Sequence, residues 1–272
     1  MKVMIIDNEE VAAKMLGAKI EGLGHVVGYE TNKEQAIDKA VEEQANIFFV
    51  DPMPANSVRQ FVLTLRRRIQ NYPYIFAFSA DASFGDAVQA GANDIFHKPL
   101  DPQELESKMK NAEHLINLVN RISDDSEDFP SAGGVIAKSA FNQLFLSALE
   151  RADRYAERTY ILFISINNYQ EILELDGAYS ADYAVARLSQ YLVRLRRQSD
   201  VIAQTAKHEY ALLLQRPIRP NEPQDAANRF TENLAQCEDI ASNGSTPVEI
   251  KISLIDVPAG HVSYEQVLRS EA

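Results

Sequence analysis

Short apolar runs that end in acids or hydroxyls, separated by amphipathic stretches, constrain this chain more than any other feature. Residues 3–6 run into Asp7, Asn8, Glu9 and Glu10, residues 47–50 end at Asp51, and residues 74–78 end at Ser79. Unbroken apolar runs of this length read as strands buried on both faces. Between them, residues 33–44 and 58–68 repeat apolar positions at helical spacing, as do Val11, Met15, Leu16 and Ile20. Strand and helix in alternation predict a doubly wound parallel α/β sheet. In such sheets polar chemistry collects at the carboxyl ends of the strands.

The chain has 272 residues, enough for two domains each with its own core. A formal net charge of −12 opposes sequence-independent binding to nucleic acid, so a polyanionic ligand would need a local arginine cluster. The single cysteine, Cys237, excludes an internal disulfide framework. No apolar run approaches the length of a membrane span and the N-terminus opens on a strand pattern, so no membrane insertion and a cytoplasmic location are expected.

The acids and hydroxyl at the strand ends, with Lys98 before Pro99, resemble the site of a response-regulator receiver domain, which has the flavodoxin-like fold. The resemblance covers residues 1–122. It implies that Asp51 is the phosphoacceptor for a sensor histidine kinase, that Asp7 and Asn8 hold Mg²⁺ with Asp51, and that Ser79 and Lys98 follow the phosphoryl group. The chemistry fits those roles: a carboxylate attacks phosphorus while a cation, an ammonium and a hydroxyl neutralise the equatorial oxygens. Asn8 stands where the family has a metal-binding carboxylate, so weak Mg²⁺ binding is expected. Pro52 restricts the backbone beside Asp51. The segment 79–91 is shorter than the family's by about one helical turn, which predicts a short or irregular helix there. Ile95 occupies the position of the family's switch aromatic, followed by Phe96. A pseudo-receiver scaffold in which Asp51 is a relic acid is the alternative.

Asp101 and Pro102 open a helix whose apolar positions Leu105, Met109, Ala112, Leu115, Ile116, Val119 and Ile122 step by threes and fours. Its first half reads as packing on the sheet, and its second half as a signalling helix or homodimer seam. Residues 123–130 form an acidic linker, and a second domain spans 131–272.

In that second domain, residues 201–204 and 210–214 read as the strands of a hairpin, with Ala206, Lys207, His208 and Glu209 as its polar turn. Residues 160–164 form a buried strand that ends at Ser165. The whole resembles a GGDEF domain, the diguanylate cyclase module that joins two GTP molecules into cyclic di-GMP, with a mixed sheet of nucleotidyl cyclase type. The five signature positions are Ala206, Lys207, His208, Glu209 and Tyr210, four of which differ from the family pattern. The resemblance implies lost functions: Lys207 obstructs the approach that glycine permits, and His208 and Ser165 replace metal carboxylates. Leu173 replaces a guanine-reading asparagine, although Asp182 is retained, and of the family's entry wing only Gly134 and Val135 survive. A degenerate, non-enzymatic module is expected, against the alternative of an active cyclase. A late strand falls near 248–255, and residues 264–268 suggest a short helix after it.

Arg197, Gln198, Ser199 and Asp200 have the Arg-x-x-Asp form of the family's inhibitory site, at the family's distance before the hairpin. The resemblance implies that this pair binds cyclic di-GMP, the guanidinium on phosphate or guanine and the carboxylate on guanine N–H groups. A simple helix-end cap is the other reading. Arg194, Arg229 and the run Arg66, Arg67, Arg68 are the candidate additional cations. Output is then expected through cyclic di-GMP, through a protein partner or homodimer, or both.

Overall fold

The computed structural model describes residues 1–69, 72–237, 240 and 246–269. The chain divides into two compact units. One comprises Met1–Arg121, Glu150–Glu157 and Pro258–His261; the other comprises Ile122–Leu149, Arg158–Val257 and Val262–Ala272. Among the described residues no helix is long and apolar enough to cross a membrane.

The first unit alternates β1 (Lys2–Ile6), α1 (Glu10–Gly22), β2 (Val26–Glu30), α2 (Lys33–Glu43), β3 (Ile47–Val50), α3 (Ala55–Arg68), β4 (Tyr74–Ser79), α4 (Phe84–Ala90), β5 (Asp94–His97) and α5 (Pro102–Ser123). Its five strands lie parallel in the order β2-β1-β3-β4-β5. Successive side chains leave a strand on opposite faces, so an all-apolar strand serves two cores. Phe48, Val50, Ile75, Ala77 and Ile95 meet Phe61, Val62 and Leu65 of α3 on one side. Phe49, Phe76 and Phe96 project to the other as an aromatic cluster, each ring centre 4.8–5.6 Å from the other two.

The shortened segment after β4 folds as the seven-residue α4, pinned at both ends. Ser83 and Asp86 form a reciprocal capping box, and Gly91 closes the helix at φ +87°, a backbone that favours glycine. The α5 stripe departs from expectation. Leu105, Met109, Ala112, Leu115, Ile116, Val119 and Ile122 are all buried in the single chain. The second half of the helix, Ile116, Val119 and Ile122, is thus covered within the chain.

After α5 the chain forms α6 (Lys138–Tyr155), whose last turns from Glu150 fall in the first unit, and the second unit continues with β6 (Thr159–Ile166), α7 (Tyr169–Leu175), α8 (Gly177–Leu195), β7 (Val201–Ala206), β8 (Glu209–Gln215), α9 (Glu222–Leu234), β9 (Glu249–Val257) and β10 (Val262–Arg269). The sheet order is β10-β9-β6-β8-β7 with antiparallel neighbours. A parallel bridge from Ile136 to Ala203 adds a mixed margin. Leu162, Ile164, Ile252 and Leu254 face the core with Ala184, Leu188 and Leu192 of α8 and Ala227, Phe230 and Leu234 of α9. The expected helix at 264–268 is instead strand β10. Its pattern has period two: Tyr264 and Leu268 pack on this core, and the Tyr264 hydroxyl lies 2.7 Å from the Thr231 hydroxyl of α9. Pairing along β9 then decides the conformation over local propensity.

Phe76 lies fully buried in the aromatic cluster of the first unit. Phe76→Ala is expected to destabilise that unit by about 3–5 kcal/mol in urea unfolding. Val11→Ala, at an exposed position of α1, is expected to change stability by no more than about 0.5 kcal/mol.

Candidate functional site

The parallel register places the receiver-like residues side by side. Ile6 pairs with Val50 and Val50 with Ala77, so Asp7 and Asp51 leave neighbouring strand ends, next to Ser79 at the end of β4. The Lys98 N–H donates to the Ser79 carbonyl at 3.0 Å, which fixes the start of the β5–α5 connection against β4. The Lys98 ammonium donates to Asp7 Oδ2 at 2.7 Å and to Glu9 Oε2 at 2.8 Å, and it sits 4.7 Å from the centre of the Phe78 ring. Burial works against its charged form, yet the hydrogen bonds it donates to Asp7 and Glu9, with the charges of those two carboxylates, outweigh burial and raise its pKa. Glu9 was not among the expected site residues, although it stands in the acidic run that follows β1.

Asp7, Asn8 and Asp51 offer oxygen donors of the hard kind that Mg²⁺ takes. Asp7 already spends Oδ1 on the Glu9 N–H at 2.8 Å and Oδ2 on Lys98, while Asp51 Oδ1 accepts from the Met53 N–H at 3.0 Å. Among the described residues no group of three His, Cys, Asp or Glu side chains is arranged to hold a metal. The donors fit Mg²⁺ in chemistry, with low negative charge and an ammonium in competition.

In the second unit the signature hairpin turns more tightly than expected, with β7 ending at Ala206 and β8 beginning at Glu209. The register shifts between Gln204 and Ala206, and neither Lys207 nor His208 has positive φ. This bulged turn is how the backbone does without glycines. The replacement side chains are docked. The His208 ring stacks on Tyr169 at 5.0 Å and 10°, and the His208 carbonyl accepts from the Ile166 N–H at 3.0 Å. The Lys207 ammonium lies 5.4 Å from the Tyr169 ring centre and 3.6 Å from Asp182 Oδ1. Tyr169 and then Asp182 raise the pKa of Lys207. Glu209 accepts from the Thr205 hydroxyl at 2.7 Å.

Directly opposed residues of antiparallel strands share a face. The register Lys251–Ser165–Glu209 across β9, β6 and β8 therefore sets Ser165 between a cation and a carboxylate. A cavity of about 470 Å³ lies next to the hairpin, lined by residues that include Gly133, Asp182, Val185, Gln204, Lys207 and Tyr210. Leu173, expected to face a bound base, is not among its lining residues and packs on the core instead. The wing turns back at Gly133 and Gly134, which have φ of +57° and +95°, and Val135 is buried in the core.

Arg197, Asp200 and Arg229 converge on a second depression of about 130 Å³. Asp200 is buried, and its Oδ2 accepts from the Arg197 backbone N–H at 2.8 Å and lies 3.5 Å from Arg229 Nη2. The Arg197 guanidinium reaches Glu222 at 3.2 Å. The Ile218 N–H and, less strongly, Arg197 hold the Glu222 carboxyl below its ordinary pKa, so this rim carries a stable negative charge. The motif thus forms a loop closed by Asp200, with the Arg197 guanidinium at a small cleft. Arg194 does not line the cleft. Arg66 bonds to the Pro73 and Gly91 carbonyls and to Asn93, and Arg68 to Asp38, so both are engaged within the first unit.

A family model described as Diguanylate cyclase, GGDEF domain, matches residues 131–270, and one described as Response regulator receiver domain matches residues 3–110. The chain is 26% identical over 112 residues to the alkaline phosphatase synthesis transcriptional regulatory protein PhoP of Bacillus subtilis, covering 40% of this chain and 47% of that one. It is 29% identical over 114 residues to the uncharacterized transcriptional regulatory protein YkoG of the same organism, covering 40% and 50%. The chain thus spans about half the length of these relatives. A two-component response regulator from Clostridium difficile aligns at 20% identity and TM-score 0.37, over 42% of this chain and 95% of that one. The GGDEF domain of YfiN from Pseudomonas aeruginosa aligns at 22% identity and TM-score 0.39, over 44% and 74%. The chain belongs to the diguanylate cyclase GGDEF domain family, and carries that module after a response regulator receiver domain.

Proposed function

We propose that this protein is a response regulator whose GGDEF module has lost cyclisation of GTP and acts by binding. The docked hairpin tip carries the proposal. Joining two GTP molecules needs carboxylates that hold Mg²⁺ against triphosphate, and here Ser165 lies between Lys251 and Glu209 while His208 is stacked on Tyr169. Lys207 lies 3.6 Å from Asp182 Oδ1, an ion pair that a guanine reading this carboxylate would have to displace. No cyclic di-GMP is expected from GTP with Mg²⁺ or Mn²⁺ in a chromatographic assay. Product above blank that disappears in Glu209→Ala would overturn the proposal.

A second reading concerns the output ligand and rests on the convergence of Arg197, Asp200 and Arg229. Cyclic di-GMP bound there would exchange the Arg197–Glu222 ion pair for a phosphate contact, while a monomeric GTP would lack the second guanine and the bridging diester. In calorimetry, Arg197→Ala is expected to cost about 1.5–3 kcal/mol, at least tenfold in affinity. Glu222→Gln should tighten binding because it removes the competing carboxylate. Failure of the folded protein to bind the dinucleotide would leave a protein partner as the output.

For the receiver, Asp51 is the phosphoacceptor of a sensor histidine kinase in this reading, and Mg²⁺ is held by Asp7, Asn8 and Asp51. Bound there, the ion would supply charge neutralisation at the phosphoryl oxygens. Lys98 must exchange its hydrogen bonds with Asp7 and Glu9 for contact with that group. Acetyl phosphate with Mg²⁺ is expected to add one phosphoryl mass at Asp51, with Asn8→Asp lowering the Mg²⁺ concentration required. No mass shift in either protein would make this a pseudo-receiver.

A further inference from the structure

The strand β10 is an outer strand of the second sheet: β9 pairs with one of its edges, and no described strand pairs with the other. Natural sheets blunt such edges with proline, with bulges or with a covering element, because an open row of N–H and C=O groups templates another strand. Here the irregularity falls at the start, between Val262 and Tyr264, and the register runs unbroken from Tyr264 to Arg269 with no proline. Tyr264 and Leu268 face the core. Glu265, Val267 and Arg269 stand on the opposite face, with Val267 46% exposed and the Glu265 and Arg269 side chains 53% and 78% exposed.

These three residues are self-complementary. Antiparallel pairing of β10 with a second copy, about a twofold axis through Val267, opposes Glu265 to Arg269 of the partner subunit and Arg269 to Glu265 of the partner subunit. The Val267 side chains meet at the axis. Within one chain Arg269 Nε bonds Glu249 at 2.7 Å and Lys251 bonds Glu265 at 2.8 Å. The cross-subunit pair therefore extends an existing row of alternating charge, and the guanidinium fork retains terminal nitrogens for a second carboxylate. Other registers lose this match. A twofold axis at Gln266 sets Glu265 against Val267 and one at Leu268 sets Arg269 against Val267, while an odd slip turns the core-facing side chains to the wrong face.

We propose that this protein forms an isologous homodimer through β10, which joins two five-stranded sheets edge to edge. The interface is independent of whether the GGDEF module binds a nucleotide. The test uses the full chain with its one cysteine removed, Cys237→Ser. Val267→Cys should yield a disulfide-linked dimer under mild oxidation, since opposed Cα atoms of antiparallel strands lie about 4.5–5.5 Å apart, within disulfide range. Glu265→Cys and Arg269→Cys should each fail to cross-link alone but form a mixed disulfide when combined. In sedimentation the unmodified chain should associate reversibly, and Arg269→Glu should weaken association at least tenfold with an unchanged circular dichroism spectrum. A chain that remains monomeric up to its solubility limit overturns the proposal. So does a dimer that survives Arg269→Glu, or one in which Val267→Cys does not cross-link.

Discussion

Burial of both faces of the central strands governs where this molecule can carry chemistry. In β3, every residue from Ile47 to Val50 is inaccessible to solvent, and Leu162, Ile164 and Ile166 of β6 are likewise fully enclosed. An ionised group within such a strand would lose its hydration without compensation. Carboxylates are accordingly displaced to strand ends, Asp7 after β1 and Asp51 after β3. The same constraint makes the strand end the natural place for change in the second unit. Ser165 is the one residue of β6 that is only half-buried, so a polar group there costs the core little.

Much of this organisation was legible in the sequence, because apolar runs without alternation admit few interpretations. Each of the early runs became a parallel strand, and the shortened segment after β4 became a helix too short to stand without its Ser83 capping box and Gly91. Legibility failed where local pattern and tertiary context disagree. Residues 264–268 set Tyr264, Val267 and Leu268 at a spacing that also suits a helix, and only the presence of β9 alongside makes Tyr264 and Leu268 read as alternate positions of a strand. The α5 stripe was visible, yet periodicity cannot say whether an apolar face is covered by the same chain or by another. Glu222 stands 25 residues from Arg197 and only the fold joins them.

The hairpin illustrates how a turn without glycine is held by its own side chains. A glycine-free tip would be a loose loop if its new side chains had no contacts, and instead His208 and Lys207 settle on Tyr169 and Asp182. Aromatic stacking of this geometry contributes about 0.5–1.5 kcal/mol beyond area burial. The exposed Lys207–Asp182 pair adds little by itself. Its importance is occupancy: the acid that the family directs at a base is answered from within the chain, and any ligand there must first break an ion pair.

The same competition sets the balance in the receiver. Lys98 has two carboxylates, Asp7 and Glu9, where a phosphoryl group would have to draw it away. Glu9 is half a step outside the family's acidic pair and its side chain is 67% exposed, so its hold on Lys98 is screened by solvent, whereas Asp7 at 4% is not. The buried contact is therefore the one that a phosphoryl group on Asp51 would have to overcome, and a cation that took up the charge of Asp7 would make it easier to overcome. A metal and a phosphoryl group bound at this end of the sheet would act together, each removing one reason for Lys98 to stay where it is, and the neutral Asn8 would weaken that cooperation from the metal side.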